Sequence, residues 1–135
     1  MASNARVTTS NPAGVAAPLK PHYSNCVRVD SGPLLFISGQ IATDEKGAIV
    51  GIGDLRAQAE QVLKNIETIL RSHGAAMSDV LNVTVYVTDI SAFHSIADIR
   101  LRYFPSNGPA STIVEVSSLA LPELMVEISA VAAVQ

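Results

Sequence analysis

Tryptophan is absent, and cysteine occurs once, at Cys26. One cysteine closes no internal disulfide and builds no cysteine zinc cage, and it fits a reducing compartment such as the cytosol. Aromatic residues are scarce, three Tyr and three Phe, so the 48% apolar content is mostly small and aliphatic. Charged residues are only 16% of the chain and sum to −3. With no Lys/Arg cluster, that balance argues against a nucleic-acid partner. No apolar run reaches the roughly 18 residues that cross a bilayer, so no membrane segment is expected. The amino terminus lacks the charged-then-apolar order of a signal peptide. Strong site motifs are missing as well: there is no GxGxxG, no P-loop and no HExxH.

What remains is a chain of 135 residues, enough for one domain with a single core. Residues 1–17 read as a flexible segment and residues 18–135 as the domain. Pro12, Gly14, Pro18 and Pro21 keep the lead-in extended and irregular. Tyr23 to Val29 and Leu34 to Ser38 read as two strands of a hairpin around the turn Asp30-Ser31-Gly32-Pro33. Gly39 stops the second strand and leaves room for close approach to its backbone. A solvated turn at 43–47 leads to a short strand near Ala48 to Val50. Asp54 can cap a helix from Leu55 to His73, ended by Gly74. Its apolar stripe is Leu55, Ala59, Val62, Leu63, Ile66, Ile69 and Leu70.

Asn82 to Thr88 alternates, with Val83, Val85 and Val87 on one face. A second helix, capped by Asp89 or Ser91, carries Phe93, Ile96, Ala97, Leu101 and Phe104 inward. Two further strands, Ser111 to Ser117 and Leu124 to Val134, complete an α+β fold: a six-stranded mixed sheet with two helices on one face. The other sheet face has no cover within the chain. The high aliphatic content and this bare face both point to a symmetric oligomer.

The last strand is apolar on both faces and holds one carboxylate, Glu127. An ionised carboxylate in a half-dry place is costly unless paired or hydrogen-bonded, and such a group makes a natural general acid or base. The same pattern serves a strand-end carboxylate that reaches solvent or a structural partner. His22, His73 and His94 are scattered and read as surface or boundary histidines. Cys26 reads as a small buried hydrophobe. Ser38 and Ser111 have no base nearby in sequence, which disfavours a serine triad.

Five stretches taken together resemble the RidA/YjgF family in order and spacing: Tyr23 to Val29, Leu35 to Gln40, Asn82 to Asp89, Pro109 to Val116, and Val126 to Ala132. The resemblance covers nearly the whole chain from about Pro18. The turn after the first stretch is about two residues longer than is usual in the family. The resemblance implies a chorismate-mutase-like fold and a homotrimer with clefts between subunits, while the cytoplasmic location is the expectation from the single cysteine. It implies hydrolysis of reactive imines and enamines to ketones and ammonia, with no metal or organic cofactor.

Residue by residue, the family's tyrosine matches Tyr23 and its cleft-lining glycine matches Gly39. The glutamate that positions the attacking water matches Glu127. The family's carboxylate-binding arginine normally follows Pro-Ala, and here that place is Ser111, beside Thr112. The family's helix asparagine appears as Ala97. These replacements remove a charge-assisted contact of about 1.5–3 kcal/mol. The resemblance then implies a specialised substrate, for example an aminomuconate-type enamine of aromatic catabolism. The alternative is a non-catalytic trimer that binds a small metabolite or a protein partner. If the substrate is acidic, another cation must stand in, with Arg28, Lys20, Arg100 and Arg102 as candidates. Arg100 lies three residues after Ala97, on nearly the same helix face. A solvated boundary residue is the other reading of that position.

Overall fold

The computed structural model describes residues 5–134. Six strands and two α-helices follow in the order β1 (Val7–Ser10), β2 (Cys26–Val29), β3 (Leu34–Gln40), α1 (Leu55–Ser72), β4 (Val80–Val87), α2 (Ala97–Tyr103), β5 (Ala110–Glu115) and β6 (Val126–Ala133). Strands β3-β6-β4-β5 form a mixed sheet, and β1-β2 form a separate antiparallel ribbon. The carboxy-terminal strand is thus central, flanked by β3 and β4 in antiparallel register. Both helices pack on one sheet face, where Val62, Leu63 and Ile66 of α1 and Ile99 of α2 meet Val83, Val85 and Ile128 in a single core.

Helix α1 forms where its stripe and caps predict. The Asp54 carboxylate accepts from the Ala57 N–H at 3.1 Å. Gly74, at φ +69°, closes the far end, with the Ala75 N–H donating to Leu70 O. One buried residue on this helix is polar. Gln58 donates to the Gly51 and Glu123 carbonyls and accepts from the Met125 N–H, at 3.1, 2.9 and 2.8 Å. It therefore pins the entry of β6 against α1.

The expected hairpin does not form. β2 pairs with β1, and β3 pairs with β6. Arg6 accounts for the divergence: its guanidinium donates to the carbonyls of Asp30, Pro33 and Val134 and so holds the 30–33 turn against the chain terminus. The segment expected to be flexible therefore contributes a paired strand from Val7 to Ser10, while residues 1–4 lie outside the described residues. Cys26, expected in the interior, is exposed on this ribbon. The short strand expected at 48–50 is a single bridge, Thr43 to Ile49. Asp44 there accepts from the Lys46 and Ala48 N–H groups, which curls the backbone out of strand geometry.

The second helix begins as a 3₁₀ segment, Ile90–Ile96, capped by Asp89, and becomes α-helical only at Ala97. Six steps at three residues per turn advance the buried face about 120° beyond the α-helical phase. Leu101, expected inward, is therefore 37% exposed, and Arg100 is turned inward at 4%.

The helix-free sheet face is bare and exposes large apolar side chains among polar ones. Phe36 is 75% exposed, Leu34 43% and Val114 38%. Among the described residues no helix is long and apolar enough to cross a membrane.

Candidate functional site

Two groups of predicted site residues assemble, on opposite faces of the sheet. Ser111 pairs with buried Val83, so it points to the helix side. Glu127 pairs with Tyr86, whose side chain alternates away from the buried valines, so it points to the helix-free side.

On the helix side, α2, the start of β5 and the 19–23 segment enclose a cavity of about 260 Å³. Its polar lining is Lys20, His22, Tyr23, Arg100 and Ser111, with Leu19, Phe93 and Ile113 among the apolar walls. His94 and Ala97 also border it. Arg100 Nη2 donates to Ser111 Oγ at 2.8 Å. That is its one side-chain hydrogen bond among the described residues, and it makes no ion pair there. Burial lowers the Arg100 pKa to about 10, against a smaller opposing influence of Tyr23. At neutral pH a buried guanidinium stands charged with no carboxylate against it. The Tyr23 hydroxyl accepts from the Leu19 N–H at 3.0 Å, leaving its own proton to donate. His22, expected at the surface, is 5% exposed. Burial first, then the charges of Arg100 and Lys20, lower its pKa to about 4, so the ring is neutral.

Of the other cation candidates, Lys20 lines the same cavity and two are occupied elsewhere. Arg28 pairs with Asp30 on the ribbon, and Arg102 pairs with Glu60 between the helices.

On the helix-free side, Glu127 lies over Gly39. The register of β3 against β6 slips between Ile37 and Gln40, a bulge that exposes the Gly39 backbone. A Cβ built on Gly39 would stand 2.2 Å from Glu127 Oε2, so only glycine leaves the carboxylate where it is. Glu127 is half-buried and has no hydrogen-bond or ion-pair partner among the described residues. Thr112 is exposed on this same face and does not border the cavity.

Tyr23, Arg100 and Ser111 are thus brought together, and Gly39 with Glu127, but the sheet separates the two sets within one chain. Sequence reasoning missed His22 as a cavity residue. Its one signal was Pro21 before it, which fixes the chain entering the segment.

Fold and cavity define a small α+β domain with a pocket built of hydrogen-bond donors. Comparison with known proteins agrees. A profile of the family described as Endoribonuclease L-PSP matches residues 15–134. The protein named 2-iminobutanoate/2-iminopropanoate deaminase of Homo sapiens is 35% identical over 127 residues, 93% of this chain and 87% of that one. The 3-aminoacrylate deaminase RutC of Acinetobacter baylyi is 32% identical over 121 residues, 90% of this chain and 93% of that one. The crystal structure of YyfB, a Rid-family protein of unknown function from Yersinia pestis, matches with a TM-score of 0.88 at 35% identity, covering 96% and 99% of the two chains. The chain belongs to the RidA/YjgF family.

Proposed function

We infer that this protein is a hydrolytic deaminase of a small imine or enamine bearing a carboxylate, working in the cytoplasm as a homotrimer with intersubunit sites. The observation that carries the reading is Arg100: a buried cation with no acid beside it, in a cavity with no acidic lining residue. Keeping such a charge dry is unfavourable unless an anion arrives to pair with it. Related proteins named as imine and enamine deaminases support the reaction class. The large apolar side chains exposed on the bare sheet face support the oligomer, and an exposed lone cysteine suits a reducing compartment.

The chemistry follows from the parts. The substrate carboxylate meets Arg100 and Ser111, with the Tyr23 hydroxyl as a further donor. That fixes the neighbouring sp² carbon at the mouth of the cavity. Glu127 of the partner subunit holds a water there and takes its proton as the oxygen adds to C=N. The proton returns to nitrogen to give the carbinolamine, and Glu127 of the partner subunit then takes the carbinolamine hydroxyl proton and passes it to nitrogen as the C–N bond breaks. Ammonia leaves and a ketone remains. Water is the only co-reactant: R₂C=NH and H₂O give R₂C=O and NH₃. An enamine first takes a proton on carbon to become the imine. An aminomuconate-type substrate carries two carboxylates, and Arg100 with Lys20 supplies two cations in one cavity.

A second reading, a non-catalytic trimer that binds a small metabolite, is favoured by the distance the sheet imposes between Glu127 and the cavity in one chain. The net charge of −3 speaks against RNA as the ligand, since a phosphate backbone needs a basic track. Ammonia release from 2-iminobutanoate and 2-aminomuconate, each generated in situ, decides between the first two. Release supports the deaminase. No release from either, with a carboxylate still binding in the cavity, supports the binding protein.

A further inference from the structure

The Glu127 carboxylate is held by shape alone. It makes no hydrogen bond or ion pair among the described residues, yet its side chain takes one definite direction. A Cβ built on Gly39 would stand 3.0 Å from Glu127 Cγ, 2.8 Å from its Cδ and 2.2 Å from its Oε2. From Cγ outward the side chain therefore leans off β6 toward β3, into the hollow that the missing Cβ of Gly39 leaves. A glutamate with several rotatable bonds and no polar partner spreads over its rotamers unless its neighbours bar them.

The barrier lies on the β4 side. Tyr86 stands directly opposite Glu127 in the register of β4 against β6, and opposite Val114 in that of β4 against β5. Side chains paired in this way share one sheet face, with Cβ atoms about 5 Å apart. One row thus crosses the helix-free face: Val114, Tyr86, Glu127 and the hollow at Gly39. Val114 is β-branched and stiff, which limits how far the Tyr86 ring leans toward β5. Bulk on one side and a hollow on the other leave Glu127 one place to go. The bulge between Ile37 and Gln40 keeps the hollow open, because Ser38 and Gly39 have no register partners in β6. The Tyr86 hydroxyl makes no hydrogen bond among the described residues, so what Tyr86 contributes to this row is its ring.

We propose that Tyr86 is a positioning residue, whose ring fills the row beside Glu127 and confines the carboxylate over Gly39, the place from which it acts as the base. This rests on the reading of Glu127 as the base.

Ammonia release from 2-iminobutanoate, generated in situ, tests it on the full-length protein, beside calorimetric binding of oxamate, a small carboxylate that reports on the Arg100 pocket. Tyr86→Ala should lower kcat about tenfold or more, because a base free to swing is misplaced by about an ångström. KM and oxamate affinity should stay near wild type, which a general loss of structure would not allow. Tyr86→Phe, which keeps the ring and loses the hydroxyl, should keep wild-type kcat. Gly39→Ala should cost less in the Tyr86→Ala background than in wild type, since the carboxylate has already left the hollow. Where Tyr86→Ala does not fold, Tyr86→Leu, apolar but shorter than the ring, carries the same expectation. Wild-type kcat in Tyr86→Ala, a Tyr86→Phe as slow as Tyr86→Ala, or losses that simply multiply with Gly39→Ala overturns the role of Tyr86 and leaves Glu127 standing. No release by wild type, or full activity in Glu127→Gln, overturns the reading of Glu127 as the base and this inference with it.

Discussion

Replacing Arg100 with methionine separates a binding residue from a structural one. Arg100 is 4% exposed, and burial brings its pKa from 12.5 to about 10. A fall of that size means the folded protein carries a penalty of about 3 kcal/mol for keeping the group charged. At neutral pH the guanidinium is charged in the unfolded chain too, so the whole penalty opposes folding. Against it stands the hydrogen bond to Ser111 Oγ, a charge-assisted contact of about 1.5–3 kcal/mol. Methionine fills a similar volume and removes both. The free energy of unfolding should therefore stay within about 1 kcal/mol of wild type or rise slightly. Binding of a carboxylate should fall about ten- to a hundredfold, the loss of one charge-assisted contact. Urea unfolding and calorimetry with oxamate read the two quantities on one preparation. A variant destabilised by several kcal/mol whose affinity for oxamate is unchanged would refute the reasoning: Arg100 would then be part of the architecture and not of the pocket.

Other perturbations follow from the same geometry. Glu127→Gln should lower kcat about a hundredfold or more and leave KM nearly unchanged, measured by ammonia release. Gly39→Ala should also lower kcat, because its Cβ displaces the Glu127 carboxylate; the melting temperature should barely move, since the displaced atom ends a flexible side chain. Gln58→Leu strands the Gly51 and Glu123 carbonyls and the Met125 N–H, and should cost about 2–4 kcal/mol in denaturant unfolding. The pH dependence of stability has a definite sign. His22 titrates at about 4 when folded and at 6.5 when unfolded, so the unfolded chain holds the extra proton in that window. Its contribution is complete above about pH 6.5 and is lost as pH falls toward 4, by about 3 kcal/mol at most, and His22→Phe should flatten that slope.

Periodicity made some elements legible and tertiary contacts hid others. Helix α1 and strand β4 could be read directly, because every third or fourth residue of one, and every second of the other, faces the core. β6 was legible for a different reason: apolar residues on both faces mark a central strand, and it lies between β3 and β4. The ribbon was not legible, since nothing local says that Arg6 will reach the carbonyls of Asp30 and Val134. The inner face of α2 was misplaced because the pattern of 90–104 was read at one helical period, whereas the segment changes from 3₁₀ to α at Ala97. That phase change turns Leu101 out and Arg100 in. Of the cavity, Tyr23 and Ser111 were nameable through the resemblance to the RidA/YjgF family, and Arg100 from its charge and its place three residues after Ala97. His22 was not, because its burial depends on Gly108 crossing it from a loop 86 positions away in the chain.

The claim at the centre of this account is that Arg100 of one subunit and Glu127 of the next serve one site. It is tested by unfolding Arg100→Met and Glu127→Gln chains together, refolding the mixture, and measuring ammonia release from 2-iminobutanoate at limiting substrate. Alone, each variant should be nearly inactive. In random mixed trimers about one interface in four receives both wild-type residues, so about a quarter of wild-type activity should return. A mixture no more active than its two parents would contradict the account, because both residues would then have to come from the same chain.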